Sequence, residues 1–168
     1  MASVDVRPLE EDQWGVLAWL WQCFRHDMAI IVSGLPYPDG RYQTRGLPER
    51  SSADVAGYLA WLPHPKTAEP APVGFALVEG LTAQRRTLTA LWVAPVVRRD
   101  GVRRRLARHV MNAHPGPWTV AFQHDNASAG RFWREVADEA FGAGAWREEE
   151  HQVPVVPDAP ADHWIETL

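Results

Sequence analysis

Residues 88–113 read LTALWVAPVVRRDGVRRRLARHVMNA, and most of the fold can be worked out from this stretch. Residues 86–94 alternate apolar and polar positions, with Leu88, Leu91 and Val93 suited to burial, and Pro95 stops the run. That is the period of a β-strand. From Gly101 the period lengthens: Val102, Leu106, Val110 and Ala113 fall on one face and arginines on the other, which predicts a helix over 101–113 ended by His114-Pro115-Gly116-Pro117. Between them lies Arg98-Arg99-Asp100-Gly101. A strand, a turn with glycine and a helix opening there form a site for a diphosphate. The first helical N–H groups lack intrahelical acceptors, the helix dipole favours negative charge, and glycine admits close approach.

The same rules extend outward. Residues 3–7 predict a first strand, and from Glu10 the spacing of Leu17, Leu20, Trp21, Phe24 and Met28 predicts an amphipathic helix ending at Ser33-Gly34. Residues 35–50, rich in Pro and Gly, predict a long loop with room for a short helix, and such loops often carry function. Residues 57–62 and 73–79 predict a hairpin whose Pro-rich connection does not pair. Residues 118–122 predict a strand, and Asn126 the cap of a helix whose Ala129, Phe132, Trp133 and Val136 share a face. Phe132 reads as core and Trp133 as core or ligand wall. Two strands, over 145–153 and 162–167, close the chain across a Pro-rich connection. This order is α/β with a mixed sheet, and the helix 101–113 crosses over between two parallel strands.

Composition narrows the function. The 168 residues fit a single domain spanning the chain, with 46% hydrophobic and 23% charged residues. No apolar run is long enough to span a membrane and no leader pattern opens the chain, which reads as cytoplasmic with no membrane partner. Cys23 is the only cysteine, so intrachain disulfides and thiolate metal clusters are excluded, and its apolar helical setting predicts burial. His109 and His114 are five apart, off a single helical face, so no metal is expected. Net charge is −4 and Lys66 is the only lysine, which disfavours nucleic acid. The arginines 98, 99, 103, 104, 105 and 108 nevertheless cluster where a small anion would sit. Nine tryptophans leave aromatic surface compatible with a homodimer.

Residues 93–106 resemble the acetyl-CoA signature of the GNAT superfamily, Arg/Gln-x-x-Gly-x-Gly/Ala between a strand and a helix, with Arg98 and Gly101 matching and Arg103 in the Gly/Ala place. Residues 123–134, QHDNASAGRFWR, resemble the later motif Asn-x-x-Ala-x-x-Phe-Tyr/Trp. Within the superfamily, His26-Asp27, residues 38–42 and Phe132-Trp133-Arg134 look most like a group of uncharacterised bacterial members. The resemblance implies a mixed, mostly antiparallel twisted sheet of about seven strands with helices on both faces. It also implies an N-acetyltransferase moving acetyl from acetyl-CoA to a primary amine of a small molecule or peptide. The backbone of Arg98, Arg99, Asp100, Gly101, Val102 and Arg103 would cradle the diphosphate. The main chain of Leu91, Trp92 and Val93 would bind the pantetheine arm, with Asn126, Ala129, Phe132 and Trp133 beside it.

Direct transfer needs a base for the amine. His26 is the first candidate because it titrates near neutrality, against a structural role at a helix terminus; Glu79, Asp27, His124 and Tyr58 follow. Asp27, Asp39 and Tyr42 are expected to line the acceptor pocket. The family's tyrosine acid is Trp133 here, so two alternatives stay open: a catalytically impaired acyl-CoA-binding module, and an interaction domain using Arg104, Arg105 and Arg108.

Overall fold

The alternating run at 86–94 forms the middle of a seven-stranded sheet of order β1-β2-β3-β4-β5-β7-β6. The computed structural model describes residues 4–153, 158 and 160–168. Its strands are β1 (Asp5–Pro8), β2 (Ala56–Pro63), β3 (Pro70–Glu79), β4 (Arg86–Val93), β5 (Trp118–Phe122), β6 (Trp146–His151) and β7 (Asp162–Thr167). Its helices are α1 (Trp14–Val32), α2 (Val102–Ala113) and α3 (Ala127–Phe141). Among the described residues only β4 and β5 run parallel, joined by α2 as a crossover. The connection between β6 and β7 includes residues 154–157 and 159, which lie outside the described residues.

Strand alternation divides the core in two. Phe75, Leu77, Ala90 and Trp92 point to one face and pack with Leu17 and Trp21 of α1. Ala76, Val78, Val93 and Val120 point to the other, against Leu106 and Val110 of α2 and Val136 of α3. Helices therefore cover both faces, as expected. Ser33 ends α1 in the left-handed conformation, its N–H donating to the Ala29 carbonyl. The loop 35–50 forms turns and no helix. It is fixed to α1 at two points: Gln22 exchanges hydrogen bonds with both backbone groups of Tyr42, and the Trp21 indole donates to the Gln43 carbonyl at 3.0 Å.

Two expectations are corrected here. The Pro-rich connection does pair, with Pro63 opposite Pro70 and Trp61 opposite Pro72. β4 reaches only Gly74, so these prolines, alternating on one side, turn their missing N–H groups toward a local edge. Cys23 is exposed rather than buried. α1 is apolar almost all round and buries only the stripe of Trp14, Leu17 and Trp21, leaving Trp19 and Ile30 78% and 90% exposed. Among the described residues, no helix is long and apolar enough to cross a membrane.

Candidate functional site

Pairing between β4 and β5 stops at Leu88 opposite Val120, although β4 continues to Val93. The cause is local. A bulge sets Leu77 opposite Ala90 and Val78 opposite Leu88, leaving Thr89 as the extra residue, its hydroxyl donating to the Leu77 carbonyl. A bulge bends and twists its strand, and here the twist parts β4 from β5. The Ala94 N–H donates to Val73, toward β3. By alternation the backbone groups of Leu91 and Val93 face the other way, into the gap.

That gap continues into a cavity of about 610 Å³ bounded by α1, the end of β4, the turn before α2 and the first residues of α3. Opposite β4 lies the arginine turn. The amides of Arg98 and Asp100 are used in tight turns, and Gly101 supplies the carbonyl for Arg105. The amides of Arg99, Gly101, Val102, Arg103 and Arg104 have no acceptor among the described residues. Arg99 and Gly101 both have positive φ, 83° and 75°. For Arg99 this is a strained conformation, here at the mouth of the cavity. A Cβ built on Gly101 would meet nothing within 4 Å, so its front is open to a ligand. Free amides, a helix N-terminus and open space together suit a diphosphate.

The side chains of this wall differ in how their charge is balanced. Arg98 donates to the Val93 carbonyl at 3.2 Å and pairs with Asp27 of α1. Asp27 also accepts from the Trp92 indole at 2.8 Å. Arg104 pairs with Glu135 and Glu139 of α3. Arg103 lies with its guanidinium carbon 3.9 Å from the Phe132 ring centroid. Burial, reinforced by the nearby Arg98 charge, pushes its pKa down to about 10.

A second cavity of about 460 Å³ lies behind Arg98, lined by His26, Asp27, Ile30 and Tyr42 among others. The Tyr42 hydroxyl is 3.2 Å from His26 Nδ1. Asp27 and Arg98 border both cavities, so their ion pair is the partition between them.

Of the residues picked out from the sequence, Leu91, Trp92, Val93, Arg98, Arg99, Gly101, Arg103, Asn126, Phe132 and Asp27 line the first cavity. His26, Asp27 and Tyr42 meet in the second. His26 lies within α1 and not at its terminus. Asn126 caps α3, its side chain accepting from the Ala129 amide at 3.1 Å. Ala129, Val102 and Trp133 are buried in the core and line neither cavity. Of the two parts open to Trp133 it takes the core one, whereas Phe132, expected in the core, forms part of the cavity wall. Asp100 is exposed on the turn. Asp39 is exposed, engaged by the Arg41 backbone and guanidinium, and its pKa is held below the usual carboxylate range by those bonds. Glu79 pairs with Thr87 at the far end of β4 from Val93, roughly 20 Å of strand away at 3.4 Å per residue. Tyr58 is buried against His114, and His124 hydrogen-bonds His163 at 3.0 Å. None of Asp39, Glu79, Tyr58 and His124 borders either cavity. Phe24 and Met28 of α1, whose spacing had marked the apolar face of the helix, line the first cavity together with Ile31.

Known structures share this architecture. The acetyltransferase of the GNAT family from Staphylococcus aureus aligns over 98% of each chain with a TM-score of 0.63 and 11% identity. The diaminobutyrate acetyltransferase from Paenibacillus lautus, in complex with its substrate and coenzyme A, aligns over 99% of this chain and 96% of its own, at 0.63 and 15%. The ribosomal-protein-S18-alanine N-acetyltransferase from Escherichia coli aligns over 99% of this chain and 93% of its own, at 0.63 and 13%. No protein-family model matches the chain, and no curated protein sequence matches it. The fold is the GNAT fold.

Proposed function

We propose that this chain is an N-acetyltransferase that moves an acetyl group from acetyl-CoA to a primary amine. The row of amides left free at Arg99, Gly101, Val102, Arg103 and Arg104, on a turn whose Arg99, Gly101, Arg103 and Arg104 line a cavity continuous with the open edge of β4, carries this reading. Their N–H groups take the diphosphate, and the Leu91 and Val93 backbone takes the amide-bearing arm. The thioester then lies toward the partition formed by Asp27 and Arg98, and the acceptor enters through the second cavity. There His26, oriented by Tyr42, takes the proton as the amine nitrogen attacks the carbonyl carbon. The carbon–sulfur bond breaks, and the departing thiolate takes a proton from water. Solved structures of this fold hold coenzyme A, and one of them holds a small diamine acid, so a small-molecule or peptide amine fits the acceptor role.

One observation favours a second reading. Trp133 occupies the place of the family's tyrosine acid and is only 6% exposed, so the chain has no hydroxyl there. An acyl-CoA-binding module without turnover is the corresponding alternative. Calorimetric titration with acetyl-CoA, followed by a thiol-release screen over small amines and peptide N-termini, separates the readings. Micromolar binding with amine-dependent thiol release supports the transferase. Binding without release for any acceptor favours the module, and absence of binding overturns both.

A further inference from the structure

We propose that the Arg103 side chain is itself a phosphate ligand, a cationic arm over the diphosphate site where related proteins keep only a small residue; this rests on the acetyl-CoA reading above. Arg98 and Arg104 have carboxylate partners, and Arg99, Arg105 and Arg108 are exposed to water. Arg103 has neither: it is half-buried and has no ion pair or hydrogen bond among the described residues. Its guanidinium lines the cavity with no counter-charge, and an anion bound there would complete the site.

The way Arg103 is held says what kind of anion. Its guanidinium carbon lies 3.9 Å from the Phe132 ring centroid, with the Trp133 ring 5.9 Å away, so the aromatic pair holds the charge in place. A guanidinium held against aromatic rings, with its N–H groups unused, is preorganised for two parallel hydrogen bonds to phosphate oxygens. Arg103 and Gly101 line the same cavity, which puts the guanidinium beside the turn whose amides are free. The arginine lies along the cavity wall that Phe132 forms. Phe132 acts here as a positioning residue for the charge.

The test is a comparison of carriers and variants by calorimetry. The carriers are acetyl-CoA, its 3′-dephospho form, S-acetyl-4′-phosphopantetheine and S-acetylpantetheine. Arg103→Ala, which restores a small residue, is expected to weaken acetyl-CoA binding by at least about 10-fold, the scale of a lost charge-assisted pair. Arg103→Lys is expected to recover part of it. The same loss is expected with the 3′-dephospho carrier, and no loss with S-acetylpantetheine. A loss confined to carriers with the 3′-phosphate would overturn the assignment to the diphosphate. Equal or tighter acetyl-CoA binding by Arg103→Ala, in a variant with an unchanged circular dichroism spectrum, would make Arg103 an obstruction and overturn the proposal while leaving the acetyl-CoA reading intact. Failure of the unaltered chain to bind any carrier overturns that reading first.

Discussion

Asp27 and Arg98, 71 residues apart in sequence, close into an ion pair that stands between the two cavities, with the Trp92 indole donating to the same carboxylate. The pair joins α1 to the turn before α2, so the arginine turn and the wall of the second cavity are tied to one carboxylate. Both side chains are partly exposed, and solvent screening limits the stability contribution to about 1 kcal/mol or less. Asp27→Asn keeps an acceptor for the indole but removes the charge that holds Arg98. Thermal unfolding should move by no more than ~4 °C, while the KM for acetyl-CoA rises several-fold. Asp27→Ala also strands the indole N–H, and should cost about 1–3 kcal/mol more.

Gly101 offers a cleaner probe of the turn. Its φ of 75° disfavours any side chain by roughly 1–2 kcal/mol, yet an added Cβ touches no protein atom. Gly101→Ala should therefore lose only that backbone cost of roughly 1–2 kcal/mol in stability and at least about 10-fold in acetyl-CoA affinity, because the methyl group occupies the ligand's approach. Calorimetry that finds full affinity in this variant would place the diphosphate elsewhere.

Gly74 and Gly15 make a contrasting pair. A Cβ at Gly74 would lie 2.8 Å from the Trp92 carbonyl oxygen and 2.9 Å from Val93 Cγ1, so Gly74→Ala must push the end of β4. A loss of about 1–3 kcal/mol in denaturant unfolding is expected, with acetyl-CoA binding impaired alongside. At Gly15, in α1, nothing lies within 4 Å, and Gly15→Ala should stabilise by about 0.4–1 kcal/mol.

Stability in acid should depend on Glu148. Its bidentate bonds from Arg134, 2.7 Å each, are the main reason its pKa lies below the usual carboxylate range, with His163 adding to the effect. The folded state then binds fewer protons than the unfolded one. The contribution is fully present above the unfolded value of about 4.3 and is lost as pH falls through the lower folded value. Unfolding midpoints measured from pH 6 to pH 2.5 should fall less steeply for Glu148→Gln than for the unaltered chain. Equal slopes would show that the pair is fully screened.

The sequence carried the strand-turn-helix around Gly101 because alternation, then helical spacing, then a glycine each point to the same local geometry. The cap at Asn126 was legible for the same reason. What escaped was set by contacts between distant segments. The parting of β4 from β5 depends on one unpaired residue, Thr89, which no local pattern marks. α1 is apolar on nearly every side, so periodicity could not choose its inner face, and Cys23 lies outside. Phe132 and Trp133 differ by one helical step. Which of them turns inward follows from the seating of Gly130 on Phe122, where a Cβ would come within 2.9 Å of the ring. Glu79 and Asp39 carry suitable chemistry, but the register of β3 with β4 and the local bond to Arg41 keep them from the cavities.

The gap beyond Leu88 and Val120 also bears on motion. A molecule with amide groups lying along Leu91 and Val93 would act as a borrowed strand, joining the two halves of the sheet for as long as it stays. The resting protein is thus a sheet with a seam. Slower hydrogen exchange at both lips of that seam on ligand addition would report the seam being stitched.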